Sequence, residues 1–450
     1  MKIAYITAGA AGMYCGSCLR DNALARALMA RGHDVVLVPT YTPTRTDEPN
    51  VSQPRVFLGG INVYLQHKSA FFRHTPWFAD RILDSPRLLN WAAGFGLKTA
   101  AAKLGALTVS MLRGEEGPDH KEFMKLANWL ADAVRPDIVD ISNGLLLGVA
   151  APLRRLLGVP VVCTLSGEDL FLEGLPEPWH GEAIDLMRRR VADVDGFITF
   201  SHYYASFMLD YLQIPQAKLF QVPLGINLEG HGAEERGSRM EDRGSRGESQ
   251  TENSDPSVTP PLTVGYLARI CPEKGLHVLC EAFRILREQP KYAGCRLRIA
   301  GYLGPRDRPY WEELRRRIAD WKLSDSVEYV GEPDRTEKIR FLQSLDVFSV
   351  PTVYRECKGL PVLEALANCV PLVQPWHGAF TEMLNATQGG ILVPPNDPKA
   401  LADGIAQLLD NPTLRSELGQ RGRQAVERLY SAERMAEATL AVYQQVIGNR

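Results

Sequence analysis

At 450 residues the chain is long enough for two domains of ordinary size, each with its own core. Its 51 basic and 53 acidic residues nearly cancel, which excludes a global field that would recruit nucleic acid or an anionic membrane. Eight cysteines stand singly or as Cys15-Gly-Ser-Cys18 without the close, regular spacing of a disulfide framework, so reduced thiols in a cytoplasm are expected.

The opening Met1-Lys-Ile-Ala-Tyr-Ile lacks the apolar core of a secretory signal and reads as a first strand, Ile3 to Ile6. A small-residue loop, Thr7 to Cys18, leads to a helix from Leu19 to Arg31, which Gly32 ends before an apolar strand, Val35 to Val38. This β-loop-α-β unit opens a parallel sheet. Gly9, Gly12 and Gly16 would let its loop amides approach a phosphate, although the spacing is not the dinucleotide fingerprint. Cys15 and Cys18 also admit a redox or half-metal role, but no second cysteine pair or nearby histidine completes a metal set.

Residues 56 to 66 suggest two short strands about a Gly-Gly turn, and Ser69 to Gly117 an aromatic-rich helical excursion that packs over the core or lines a substrate cleft. Leu88 to Met111 is interrupted by Lys98, Lys103 and glycines, which argues against a membrane span. Helix Lys121–Ala133, strand Asp137–Ile141, helix Leu145–Leu157, strand Val159–Thr164, helix Gly181–Val191, strand Gly196–Phe200, helix Ser201–Leu212 and strand Lys218–Val222 then complete a doubly wound domain. Leu165-Ser-Gly-Glu-Asp169 falls at the carboxyl end of a strand, where open α/β sheets bind ligands, so Ser166, Glu168 and Asp169 are candidates. Asp193-Val-Asp195 imitates a metal-binding pair but reads as a turn before the next strand. Residues 229 to 260 are almost without apolar side chains and are expected to be a disordered linker.

The second domain is expected from Pro261, with strand Leu262–Leu267, helix Leu276–Arg287, strand Leu297–Ala300, helix Tyr310–Trp321, strand Val327–Val330, helix Arg335–Ser344 and strand Val347–Val350. Arg269 and Lys274 flank the start of the first of these helices, where amides already favour an anion, and could neutralise a diphosphate. Tyr354 to Leu366 reads as a polar loop running into a helix, with Pro361 suited to the first turn. Its two acids, Glu356 and Glu364, bracket an amide-rich turn containing Lys358, Gly359 and Leu360, a combination suited to hydroxyls beside a phosphate. A sugar nucleotide offers that combination. A final amphipathic helix spans Ser431 to Val446.

The stretch from Glu356 to Val373 resembles the Glu-x7-Glu signature of retaining glycosyltransferases of family 4 (glycosyl transferases group 1). Ala268-Arg-Ile with Lys274-Gly275 resembles that family's diphosphate-holding block, Gly390 to Pro398 follows the family pattern, and Gly378 and Glu382 stand in its Gly-Gly-x-Pro-Glu loop. Arg31-Gly32-His33 places Cys15-Gly16 where many members carry Gly-Gly, and Pro223 to Asn227 resembles the interdomain turn. The resemblance implies an α/β fold of GT-B type, two doubly wound, parallel-sheet, Rossmann-like domains facing a cleft. It assigns residues 1–228 to an acceptor-side domain and 261–430 to the nucleotide-sugar domain, with 431–450 returning to the first. It further implies catalytic roles for Glu356, Arg269 and Lys274, with Gly16, Lys358, Gly359, Leu360 and Glu364 in donor binding. The base would lie against the backbone of Gly331 to Arg335. Where members often carry histidine, this chain has Ser166 and, one loop earlier, Asp140 and Ser142.

The expected activity is retaining transfer from a nucleoside-diphosphate sugar to a glycan, lipid or small-molecule acceptor, with no cofactor and no metal. Nucleic acid is not an expected partner; peripheral membrane contact is compatible with the sequence. An epimerase or hydrolase acting on the sugar nucleotide alone, or a catalytically silent binding protein, are the alternatives.

Overall fold

The computed structural model describes residues 1–9, 13–57, 101–232 and 261–449; only the backbone is described for 101–103. Gly12, the strands expected at 58–66, the aromatic residues from Phe71 to Trp91 and the linker residues 233–260 lie outside them. The chain divides by packing into two compact units, residues Met1–Gly225 with Ala432–Arg450 and residues Ile226–Ser431.

The first unit opens with β1 (Lys2–Thr7), α1 (Gly16–Ala30) and β2 (Asp34–Pro39). After α2 (Ala101–Arg113) and α3 (His120–Trp129) come β3 (Ile138–Ile141), α4 (Ala150–Leu157) and β4 (Val161–Thr164). Then follow α5 (Glu168–Leu172), α6 (Trp179–Arg190), β5 (Gly196–Thr199), α7 (His202–Leu212) and β6 (Leu219–Gln221). The described strands form one parallel sheet in the order β2-β1-β3-β4-β5-β6. β1, β3, β4 and β5 are buried along almost their whole length, as the inner strands of a parallel sheet covered on both faces are.

The helix expected over Leu145–Leu157 is two pieces, a 3-10 stretch at Gly144–Val149 followed by α4. A β-carbon at Gly148 would come 1.9 Å from the carbonyl oxygen of Met111, so the backbone approaches α2 too closely for any other residue. Lys121–Ala133 similarly resolves into α3 and a π-turn at Leu130–Val134, which Arg135 ends in the left-handed conformation.

The second unit contains β7 (Thr263–Leu267), α8 (Leu276–Arg287), β8 (Arg296–Ala300), α9 (Arg308–Asp320) and β9 (Val327–Tyr329). It continues through α10 (Arg335–Gln343), β10 (Val347–Phe348), α11 (Leu360–Ala367), β11 (Leu372–Pro375), α12 (Ala379–Thr387), β12 (Gly390–Val393), α13 (Pro398–Asp410) and α14 (Pro412–Leu429). Its parallel sheet runs β12-β11-β10-β7-β8-β9. The unit starts earlier than Pro261 because Ile226 bridges Ser431, the Arg335 guanidinium binds the carbonyls of Asn227 and Glu229, and His231 hydrogen-bonds Asn368.

The last helix, α15 (Ala432–Gly448), belongs to the first unit. Tyr443 on it is fully buried and donates to Asp140 Oδ2 at 2.6 Å.

In each sheet the chain reverses its direction of winding once. The reversals lie between β1 and β3 in the first unit and between β7 and β10 in the second, and ligands of open α/β sheets bind at the strand carboxyl ends beside such points.

Candidate functional site

The loops leaving β7 and β10 flank the second unit's reversal point, and they carry Lys274 and Glu356 respectively. Two close backbone approaches hold those loops together. Gly275 adopts φ +71°, and a β-carbon there would come 1.8 Å from the Pro351 carbonyl oxygen. Gly378, at the start of α12, has φ +56°, and a β-carbon on it would stand 2.5 Å from the Glu356 carbonyl oxygen. That same oxygen accepts from Ala379 N–H at 2.7 Å, and Val353 N–H donates to Glu273 at 3.0 Å. The segment bearing Glu356 is therefore clamped between the β7 loop and the α12 N-terminus.

Glu356 is only 5% exposed and is held by four N–H and O–H donors. Lys274 Nζ donates to its Oε2 at 2.6 Å and Tyr354 Oη to the same oxygen at 2.7 Å. The backbone N–H groups of Cys357 and Lys358 donate to Oε1 at 3.1 and 3.2 Å. Lys274 also donates to Tyr354 Oη at 2.6 Å, closing a three-membered ring of contacts. Burial by itself would push the carboxyl up, but the Lys274 ammonium and the donated bonds prevail and set it at about 2, so Glu356 is an anion at any physiological pH. Tyr354, whose hydroxyl burial and Glu356 push well above the ordinary range, remains a proton donor.

Gly359, with φ +84°, turns the chain into α11, and Pro361 lies in the helix's first turn as expected. At the start of α11 the Leu360 N–H has no partner within the helix and Pro361 has no N–H to satisfy, and the helix dipole makes this end electropositive. Glu364 lies one turn further on, where its carboxylate pairs with Lys338 of α10; the two side chains are 12% and 8% exposed. Arg269 stands apart from the Lys274 ring of contacts: its Nε donates to Cys271 Sγ at 3.2 Å and its guanidinium lies 3.8 Å from Glu273. His377 Nε2 donates to the Thr352 carbonyl at 3.0 Å, and burial pushes its imidazole down toward the neutral form. Asp334 caps α10 reciprocally with Glu337, so the Gly331–Arg335 turn is fixed by the helix that carries Lys338.

Sequence reasoning missed Tyr354 and Lys338. Tyr354 stands only two residues before Glu356, close enough in the chain for its hydroxyl to reach that carboxylate. Lys338 is 26 residues from Glu364, and nothing local links them.

In the first unit Gly16 is the first residue of α1, beside Cys15 at the N-cap. The loop after β4 is self-organised. Glu168 is 2% exposed, and its carboxylate accepts from Gly144 N–H at 3.0 Å and Ser166 N–H at 2.8 Å. Tyr204 Oη donates to Asp169 at 2.7 Å and accepts from Gly167 N–H at 2.9 Å. Burial raises the Asp169 carboxyl above its usual range. Glu168 and Asp169 thus brace the loop, while the Ser166 hydroxyl is buried without a hydrogen-bond partner among the described residues.

Beneath that loop is a polar cluster that sequence reasoning did not foresee. Arg20, fully buried, donates through Nε to Asp21 at 2.9 Å and lies over the Phe200 ring at 4.8 Å. Asp21 also accepts from Thr7 at 2.6 Å and Tyr5 at 3.1 Å. Asp140 accepts from Thr164 at 3.1 Å as well as from Tyr443, and its carboxyl is raised by burial to about 7. Asp140 is therefore a core group tying α15 to β3 and β4, and the Ser142 carbonyl is taken up by Arg20. Asp193 and Asp195 pair with Arg190 and Arg154, and Asp195 accepts from Val161 N–H at 2.9 Å, the turn role expected of them.

Comparison with known proteins agrees with this architecture. The family described as Glycosyl transferase 4-like domain matches residues 22–225, and that described as Glycosyl transferases group 1 matches residues 249–425. The chain is 36% identical over 181 residues to the putative colanic acid biosynthesis glycosyltransferase WcaL of Escherichia coli K12, covering 38% of this chain and 42% of that protein. Against the MMP alpha-(1->4)-mannosyltransferase of Mycolicibacterium hassiacum it is 23% identical over 438 residues, 94% of this chain and 93% of the relative. The sucrose-phosphate synthase structure from Thermosynechococcus elongatus superposes with a TM-score of 0.70 at 18% identity, covering 100% of this chain and 99% of that one. The chain spans under half the length of the curated relatives it matches first, at 42%, 46% and 36%. It belongs to the group 1, family-4-like glycosyltransferases and has their two-domain GT-B fold.

Proposed function

We propose that the chain transfers a sugar from a nucleoside-diphosphate sugar to an acceptor hydroxyl with retention of anomeric configuration and without a divalent metal. The observation that carries this is the ring of Lys274, Tyr354 and Glu356 at the reversal point of the second sheet, beside the N-terminus of α11. A buried carboxylate that is always ionised is a fixed acceptor for sugar hydroxyls, and an ammonium within contact of it can meet a phosphate.

A carboxylate offers about four acceptor positions, and on Glu356 all four are used by Lys274, Tyr354 and two backbone amides. A donor sugar hydroxyl gains Oε2 when Lys274, a quarter exposed and on a flexible stem, swings from it to the diphosphate. Lys274 and Arg269 then neutralise charge developing on the departing diphosphate, together with the amides of Gly359 and Leu360. Lys358 supports the same anion. Glu364, oriented by Lys338, accepts from the ribose hydroxyls. The departing phosphate oxygen takes the acceptor proton, so the absence of a histidine at Ser166 is compatible with turnover. The acceptor is a glycan, lipid or small-molecule hydroxyl. Among the described residues no helix is long and apolar enough to cross a membrane.

The test is nucleoside diphosphate release measured with a panel of sugar nucleotides, with and without acceptors, followed by NMR assignment of the product anomer. Acceptor-dependent release and a retained anomer are expected. Release that ignores the acceptor would instead identify a hydrolase or epimerase, and an inverted product would refute the stereochemical part.

A further inference from the structure

The first turn of α1 contains a feature that sugar transfer does not use. Cys15 is its N-cap residue, in extended conformation, and Cys18 is its third helical residue. The Cys18 thiol is hydrogen-bonded to Cys15, and the Leu19 N–H closes the turn on the Cys15 carbonyl at 2.9 Å. Of the eight cysteines, all free, seven are buried and Cys15 alone reaches solvent in part. An external reagent therefore meets Cys15 first, with a second sulfur directly behind it.

We infer that Cys15 and Cys18 form a reversible dithiol–disulfide site that reacts with low-molecular-weight disulfides. The chemistry balances without another reactant. The Cys15 thiolate attacks one sulfur of the reagent's disulfide, forming a mixed disulfide and expelling one thiolate. The Cys18 sulfur, having lost its proton to solvent, attacks Cys15, forming the Cys15–Cys18 bond and expelling the second. Two protein thiols are oxidised and one disulfide is reduced to two thiols.

The roles follow from placement. Cys15, the one cysteine partly open to solvent, is the sulfur that a reagent reaches and therefore the attacking one. Cys18, 2% exposed, is held protonated by its bond to Cys15 and by burial, which suits a resolving thiol rather than an attacking one. The link would close around Gly16 and Ser17, fixing the turn that Gly16 opens.

The full chain, equilibrated anaerobically in a series of reduced and oxidised glutathione buffers, would be quenched in acid, alkylated and mapped by mass spectrometry. The expected result is loss of two alkylatable thiols of the eight, both from the peptide carrying Cys15 and Cys18, which becomes lighter by two hydrogens. In a Cys18→Ser variant Cys15 should accumulate a glutathione adduct instead. Full alkylation of both cysteines at the most oxidising ratio would overturn the inference. So would a persistent glutathione adduct on Cys15 in the wild type. The wild-type titration decides the matter even if the variant does not fold.

Discussion

Replacing Lys274 with alanine separates the two sides of the candidate donor site most cleanly. In the wild type Glu356 is buried, yet its carboxyl is depressed from an ordinary 4.5 to about 2, with Lys274 the leading cause that opposes burial. That displacement is equivalent to about 3 kcal/mol of preference for the ionised form in the fold. The sign is that of a depressed acid: the contribution is present above pH 4.5 and is lost as pH falls through about 2. Without Lys274 burial becomes the dominant influence and the carboxyl moves above its ordinary value. Lys274→Ala should therefore lose about 3 kcal/mol at pH 7, the low end for a broken buried pair because Lys274 is 25% exposed. The loss should shrink as pH is lowered and the stranded carboxylate takes up a proton. Adding Glu356→Gln should recover most of it, leaving about 1 kcal/mol. Urea unfolding of wild type, both single variants and the double variant across a pH series measures all of this. Equal loss in the Lys274→Ala and double variants, or a loss independent of pH, would refute the reasoning.

Further predictions follow from the same geometry. Gly275→Ala should cost about 2 kcal/mol or more, because it adds a β-carbon 1.8 Å from the Pro351 oxygen at a left-handed residue, and it should reduce donor turnover in steady-state assays. Asp140, raised to about 7 from 3.8, binds its proton more tightly in the fold, so its contribution is full below 3.8 and lost as pH rises through 7. Wild-type stability should accordingly decline by a few kcal/mol between pH 5 and 8, on the order given by that displacement. Asp140→Asn should flatten the profile in thermal unfolding scans. Tyr443→Phe removes the hydrogen bond between α15 and Asp140 and should cost about 1 to 2 kcal/mol in the same assay.

The parallel alternation was legible because buried strands such as Ile3–Ile6 and Val35–Val38 are continuous apolar runs beside helices of amphipathic period. Helix Leu276–Arg287 is found at its expected bounds, since Gly275 marks its start and its apolar face is regular. The site's anchors were legible for a different reason. Lys274, Glu356 and Glu364 stand at loop-to-helix junctions, where residue type and helix polarity are coupled over a few positions. What escaped was contact between distant segments. Lys338 with Glu364 and Tyr443 with Asp140 each join elements that only the sheet order brings together. Arg20, a charged residue among the apolar positions of α1, gave no sign that it is fully buried against Asp21. The interruption at Gly144–Val149 was hidden because a 3-10 turn and a helix share the same apolar spacing over one turn.

The most direct measurement of the central claim is calorimetric titration of the wild type and Glu364→Gln with a panel of nucleoside-diphosphate sugars. The account predicts that one sugar nucleotide binds the wild type and that Glu364→Gln weakens it by about tenfold or more, the loss of a charge-assisted bond to ribose. Its free nucleoside diphosphate should compete for the same site. No binding by folded wild type, or binding that Glu364→Gln leaves unchanged, would contradict the donor site described here.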